Sequence, residues 1–199
     1  MEKQMIISVS REFGSGGHVI AEMIAKYFGI PIYDRNLLDA IAKEKGVDAE
    51  MLEKYDEKPK KHLVSRTVRG FSNSIEQNLV EMQFDYLKRK ADSGESFVVV
   101  GRCAEVVLKG REGLVTIFVL GDQAEKVKRV KRIYHLSEGE AIAKMTRHDK
   151  CRKAYHNPYS KYHWGDSRNY DICINSSSLG VEKTAQLLED FIKTKLNLE

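Results

Sequence analysis

The stretch ISVSREFGSGGHVIAEMIAKYFGIPIYD, residues 7–34, leaves few folds open to the chain. It begins within an apolar, β-rich run of Ile6, Ile7 and Val9 that ends at Ser10. A turn containing Gly14, Gly16 and Gly17 follows. Val19, Ile20, Met23, Ile24, Tyr27 and Phe28 then recur at helical spacing, and Gly29 stops that helix as a C-cap. IPIYD, residues 30–34, is a second short strand ending in an acid. Strand, glycine turn, helix and strand within about 30 residues make a βαβ unit.

The rest of the chain extends this unit. Residues 36–57 read as polar helices, broken by Lys58, Pro59 and Lys60. A longer helix is expected over 71–92, carrying Ile75, Leu79, Met82, Phe84 and Leu87, and ended by Ser93-Gly94. FVVVG (97–101) and LVTIFVL (114–120) are continuous apolar runs, suited to strands buried on both faces of a parallel sheet. Helices follow over 122–134 and over 137–153, the second behind a Ser137-x-x-Glu140 capping box. YDICIN (170–175) is a fifth strand and 180–196 a closing helix; 154–169 is the most loop-like stretch. Five buried strands alternating with helices predict an α/β fold built on an open, doubly wound parallel sheet in three layers.

Composition narrows the function classes. At 42% hydrophobic, 199 residues can bury the core of a single domain. The net charge of +4 is small and both signs are interspersed, which argues against a surface that coats nucleic acid. Cys103, Cys151 and Cys173 are widely spaced, which argues against a disulfide framework or zinc site and for a reducing compartment. No apolar stretch approaches the roughly 20 residues that span a bilayer. The N-terminal apolar run belongs to the first strand, so a soluble, cytoplasmic chain without a membrane partner is expected.

In an open parallel sheet, ligands bind beyond the carboxyl ends of the strands, and the loop after the first strand lies there. Gly14, Gly16 and Gly17 let backbone N–H groups converge as an anion nest, and the helix start adds its positive end. The competing reading is a tight turn that serves backbone geometry alone. The usual phosphate loop ends in Gly-Lys-Ser/Thr. Here Gly16 is followed by Gly17 and His18.

On these residues the chain resembles the cytidylate kinases, and SREFGSGG closely matches a cytidylate-kinase-like group. The likeness continues through VVVGRCAE (98–105), the basic helix 122–134, RHDKCR (147–152) and INSSSLGVEKTA (174–185), and is weakest over 47–93. The resemblance implies a P-loop NTPase-type fold with a helical acceptor-binding insertion and a lid. Residues 1–46 and 94–199 would form the core, 47–93 the acceptor segment and about 129–160 the lid. It implies ATP and Mg²⁺ as cofactors and a small nucleotide as substrate, with phosphoryl transfer to a nucleoside monophosphate, first of all CMP or dCMP. A non-catalytic nucleotide-binding module and a kinase of another small acceptor remain as alternatives. Oligomeric state is not legible.

Position by position, the first glycine of the kinase loop falls on Arg11, its lysine on Gly17 and its metal-holding hydroxyl on His18. Gly14, Ser15, Gly16, Gly17 and His18 are thus the candidate phosphate cradle. Arg11, a permanently charged fork of donors, is the favoured substitute cation. Asp34, beside Arg35, reads either as part of the acceptor site or as a helix N-cap. Arg102 matches an arginine that contacts the acceptor phosphate, and a pairing with Asp34 is also open. The acids that flank this position in the kinases are Val100 and Cys103 here, leaving Glu12 or Glu105 as substitutes. Arg147 and Arg152 match lid arginines. Arg129 and Arg132 are weaker candidates, and Lys126, Lys128 and Lys131 read as surface charges. Lys61, Arg66 and Arg69 line the monophosphate pocket or solvate the insertion. Trp164 with Tyr155, Tyr159 and Tyr162 stacks a base or packs before the last strand.

Overall fold

A computed structural model describes residues 3–34, 36–46, 67–68, 71–72 and 75–198. In chain order the elements are β1 (Ile6–Arg11), α1 (Gly17–Phe28), β2 (Ile32–Tyr33), α2 (Asn36–Lys45), β3 (Thr67–Val68) and β4 (Phe71–Ser72). They continue as α3 (Ile75–Asp92), β5 (Phe97–Val100), α4 (Ala104–Val107), β6 (Leu114–Leu120), α5 (Gln123–Tyr134) and α6 (Glu138–His156). Two 3₁₀ turns, β7 (Ile172–Asn175) and α7 (Val181–Leu196) complete the chain. No helix among the described residues is long and apolar enough to cross a membrane.

The five longer-range strands form one all-parallel sheet in the order β2-β5-β1-β6-β7. Successive side chains of a strand point to opposite faces, and here both faces are covered. Ile7, Val9, Val98, Val100, Val115, Ile117 and Val119 meet Ile20, Ile24, Leu188 and Ile192 of α1 and α7. Their neighbours Ile6, Phe97 and Val99 meet Leu37, Leu38, Ile41, Leu79 and Leu87 of α2 and α3. This is why the strands read as unbroken apolar runs. β1 lies in the middle, so its carboxyl end is flanked by β5 and β6 where the strand order reverses.

Several local expectations hold. Gly29 caps α1 with φ 63°, and Ser137 and Glu140 exchange both capping-box bonds at the start of α6. Two differ. Residues 71–72, expected within the long helix, pair with 67–68 as an antiparallel hairpin, and the helix begins at Ile75. α6 runs to His156, three residues past the expected end, and takes residues 154–156 out of the presumed loop. Trp164 and Tyr170 pack their rings on Phe118 at 5.2 and 5.0 Å, which is core closure rather than a base platform. The remainder of the insertion, with Lys61, Arg66 and Arg69, lies outside the described residues, as does Arg35.

One buried polar pair joins the elements beneath the sheet's carboxyl edge. Glu105 on α4 and His156 at the end of α6 are each 2% exposed and lie 2.7 Å apart. The second Glu105 oxygen accepts from Ser10 Oγ at 3.4 Å. Removing one partner strands the other without water. Glu105→Ala is expected to cost about 3–5 kcal/mol in urea unfolding, and joint replacement of Glu105 and His156 by apolar residues should cost less than that single change.

Candidate active site

β1 delivers Arg11 to the sheet edge, and the chain then turns through Glu12–Gly16 into α1. Gly14 and Gly16 adopt φ 86° and 83°, a left-handed backbone that L side chains rarely take. Ser15 is fixed from both sides. Its hydroxyl donates to the Glu12 carbonyl at 2.9 Å, and its own carbonyl accepts from Ser176 Oγ at 2.6 Å. Among the described residues no protein acceptor meets the N–H of Gly14, Gly16 or His18. No acid lies within the first turn of α1 itself, so the helix adds its positive end to the turn. Open amides at a helix start, with glycines where a Cβ would fill the turn, fit a phosphate chain.

The position of the missing lysine has a steric explanation. A Cβ on Gly17 would lie 2.6 Å from the Arg11 Cβ, 3.2 Å from the Arg11 Cγ and 3.1 Å from the Val119 Cβ. The Arg11 side chain occupies the space that a side chain at position 17 would need. Its guanidinium lies 3.9 Å from the Asp34 carboxylate, whose other oxygen is 3.2 Å from His18 Nδ1. His18 Nε2 faces Glu22 at 3.3 Å. Asp34 thus turns its side chain to the loop, while its backbone carbonyl accepts from Leu37 N–H at the start of α2.

Arg102 reaches the same place from beneath. Gly101, Arg102 and Cys103 take φ 77°, 62° and 53°, three successive left-handed residues of which two carry side chains. At Arg102 and Cys103 such a turn stores strain of about 1–3 kcal/mol each, and it persists only where its surroundings hold it. It places Arg102, 2% exposed, so that Nη2 donates to the Asp34 carbonyl at 3.3 Å. Arg102 is therefore joined to Asp34 through the backbone, not through the carboxylate.

Helices α5 and α6 close over the other side of the loop. Lys126 is not a surface charge. It is 7% exposed, its Nζ lies 2.7 Å from Glu12 Oε2, and its backbone carbonyl and Cβ lie against Gly14. Its spacing to Val130 puts it on the apolar face of α5, a pattern from which an inward stem could have been read. The Arg129 guanidinium sits 3.2 Å from where a Gly16 Cβ would be, whereas Arg132 is exposed. From α6, Asp149 Oδ1 accepts the Phe13 N–H at 2.8 Å, and Arg152 Nη1 donates to the Arg11 carbonyl at 3.1 Å. Burial pushes the Asp149 carboxyl above the usual range, against the pull of the Phe13 amide and Arg152. Arg147, two residues from Asp149 and so about 200° around the helix, is exposed. The structure thus gathers Arg11, Gly14–His18, Asp34, Arg102 and Arg152, and leaves Arg147 apart.

Among the described residues the acids beside the loop are not arranged as a magnesium site. A hard cation takes oxygen ligands. The hydroxyl position holds His18; Glu12 is engaged by Lys126 and the Gly121 N–H, and Glu105 is buried on His156. Among the described residues no group of three or more His, Cys, Asp or Glu is placed to hold a metal.

A family model described as "Cytidylate kinase-like family" matches residues 6–178, and the chain belongs to that family. It is similar to the crystal structure of an uncharacterized protein from Eubacterium ventriosum ATCC 27560, at 36% identity and a TM-score of 0.77 over 96% of this chain and 99% of that one. It shares its fold with a shikimate kinase from Bacteroides thetaiotaomicron, at 13% identity and a TM-score of 0.55 over 95% of this chain and 98% of the other. A gluconokinase from Sinorhizobium meliloti 1021 is likewise similar, at 13% identity and a TM-score of 0.56 over 99% and 96% of the two chains. No match was found among curated proteins. The fold is that of the P-loop kinases.

If Arg11 fills the space above Gly17, the two positions are coupled. Gly17→Ala is expected to lower stability by about 1–3 kcal/mol, as overpacking does. In an Arg11→Gly background the same change should cost much less, with Val119 responsible for the residue. Equal costs in both backgrounds, read from urea unfolding, would refute the coupling.

Proposed function

We propose that this member of the cytidylate kinase-like family transfers a phosphoryl group from ATP to a small acceptor. A nucleoside monophosphate, CMP or dCMP first, is the acceptor that the family description favours. The observation that carries the reading is the exchange of positions at the loop: the residue before the glycines supplies the cation, and glycine stands where the lysine would be. The migrating phosphoryl group needs positioning and charge neutralisation more than covalent chemistry. Backbone amides of the 14–18 turn would hold the nucleotide phosphates. Arg11 would leave Asp34 and turn to the transferring group, with its fork of donors matched to phosphate oxygens. Asp34 and the buried Arg102 would shape the acceptor side, since both lie at the end of the β2–β5 edge. An acceptor phosphate is already a nucleophilic oxyanion at neutral pH, so no strong base is required of the protein. No step is assigned to a protein-held metal, because the acids near the loop are committed to Lys126, His18 and His156.

That commitment favours a second reading, a nucleotide-binding module without turnover. The two readings part in one experiment. ADP formation from magnesium ATP, scanned across nucleoside monophosphates and other small phosphate and hydroxyl acceptors, should show acceptor-dependent turnover. Arg11→Ala should lower kcat/KM by about 10³-fold or more, the scale on which arginines act in phosphoryl transfer. ATP binding without turnover on any acceptor would transfer the case to the module.

A further inference from the structure

α6 meets the loop along one face. Met145, Asp149, Arg152 and His156 are spaced by three or four residues and so project from the same side of the helix. Met145 packs on Val127 and Val130 of α5, with Phe13 packed against the same cluster. Asp149 accepts the Phe13 N–H at 2.8 Å, Arg152 donates to the Arg11 carbonyl at 3.1 Å, and the two side chains lie 3.6 Å apart. The Phe13 ring stacks on His148 at 4.4 Å and 11°, with the Arg152 guanidinium 5.7 Å from its centroid. One turn further on, His156 holds Glu105, which in turn holds Ser10. Residues 11 and 13 are therefore gripped by a single helix at backbone groups on both sides of Glu12, and the Ser10 hydroxyl is tied to the same helix through Glu105.

We propose that Asp149 and Arg152 are positioning residues for the phosphate loop, and that α6 is a standing wall of the site rather than a lid that swings. Fixing the carbonyl of Arg11 and the amide of Phe13 fixes the direction in which the Arg11 side chain leaves the backbone, which is across Gly17. Arg152, with 13% of its side chain exposed, acts through Arg11 and not on a phosphate. The inference rests on the reading that the 11–18 loop binds nucleotide phosphates.

The test is a double-mutant cycle on ATP affinity, with loop amide exchange measured by NMR as a readout independent of nucleotide. Asp149→Asn keeps the shape but loses the charge that strengthens the Phe13 bond. It should weaken ATP binding by about 10-fold or more and speed exchange at Phe13. Arg152→Met should do likewise and Arg152→Lys, which can still donate to the carbonyl, should recover most of the loss. In an Arg11→Ala background each change should alter ATP affinity less than about 2-fold, because its route of action is gone. Equal losses in both backgrounds would overturn the proposal, as would unchanged affinity. If wild-type protein binds no ATP, the nucleotide reading fails by itself. The wall is then judged on exchange alone: faster exchange over residues 13–17 in the variants supports it, and unchanged exchange refutes it. Should Asp149→Asn fail to fold, the Arg152 pair carries the same comparison.

Discussion

Two side chains cannot share the space above the helix start of α1. A Cβ at position 17 and the Cβ of Arg11 would stand 2.6 Å apart, well inside van der Waals contact. The loop therefore carries a side chain at one of these positions and not at both. Its remaining peculiarities follow from that choice. With the cation on the strand end, the charge is set by β1, the central strand of the sheet, and not by the first turn of a helix. Position 18, no longer next to a lysine, holds an imidazole that shares a carboxylate with Arg11.

The Arg11 guanidinium hangs on a side chain as rich in rotamers as a lysine's, so what the fold fixes is the backbone that carries it. The surrounding structure is correspondingly dense. α6 holds the peptide groups of Arg11 and Phe13, α5 holds Glu12 through Lys126, and Ser176 holds Ser15. Beneath, a turn of three left-handed residues puts Arg102 against the Asp34 backbone. Strain at that turn and a buried glutamate–histidine pair at its far side are both unfavourable in isolation. They persist where packing on both faces of the sheet leaves them no alternative.

The sequence revealed most of the fold because the strands are buried on both faces and the helices on one. β1, β5 and β6 were legible as apolar runs and α1 from its helical spacing, and Gly29 and the Ser137–Glu140 box from cap chemistry. The 67–72 hairpin was not, since two-residue strands leave no period to read. At the site, the glycine turn at the end of β1 was legible from spacing, and Arg11 was singled out through the resemblance. Lys126 was misread because a lysine count ignores the apolar face it shares with Val127 and Val130. The orientation of α6 was out of reach for a different reason. RHDKCR names an acid and two arginines, but which of them faces the loop depends on the register of the helix against α5, a tertiary property.

That register also separates two ways of neutralising a transferring phosphate. In one, arginines on a mobile segment arrive with closure and exclude water as they do so. In the other, the charge is set in advance by fixed groups, and nothing has to reorganise when the reaction occurs. Here the nearest arginine of α6 is already spent on a backbone carbonyl, and its exposed neighbour Arg147 lies on the far side of the helix. Two cations stand at the glycine turn itself, Arg11 on the central strand β1 and Arg129 on α5, whose guanidinium lies beside Gly16. Under the proposed function the backbone that carries Arg11 is therefore fixed in advance, while its guanidinium still has to part from Asp34.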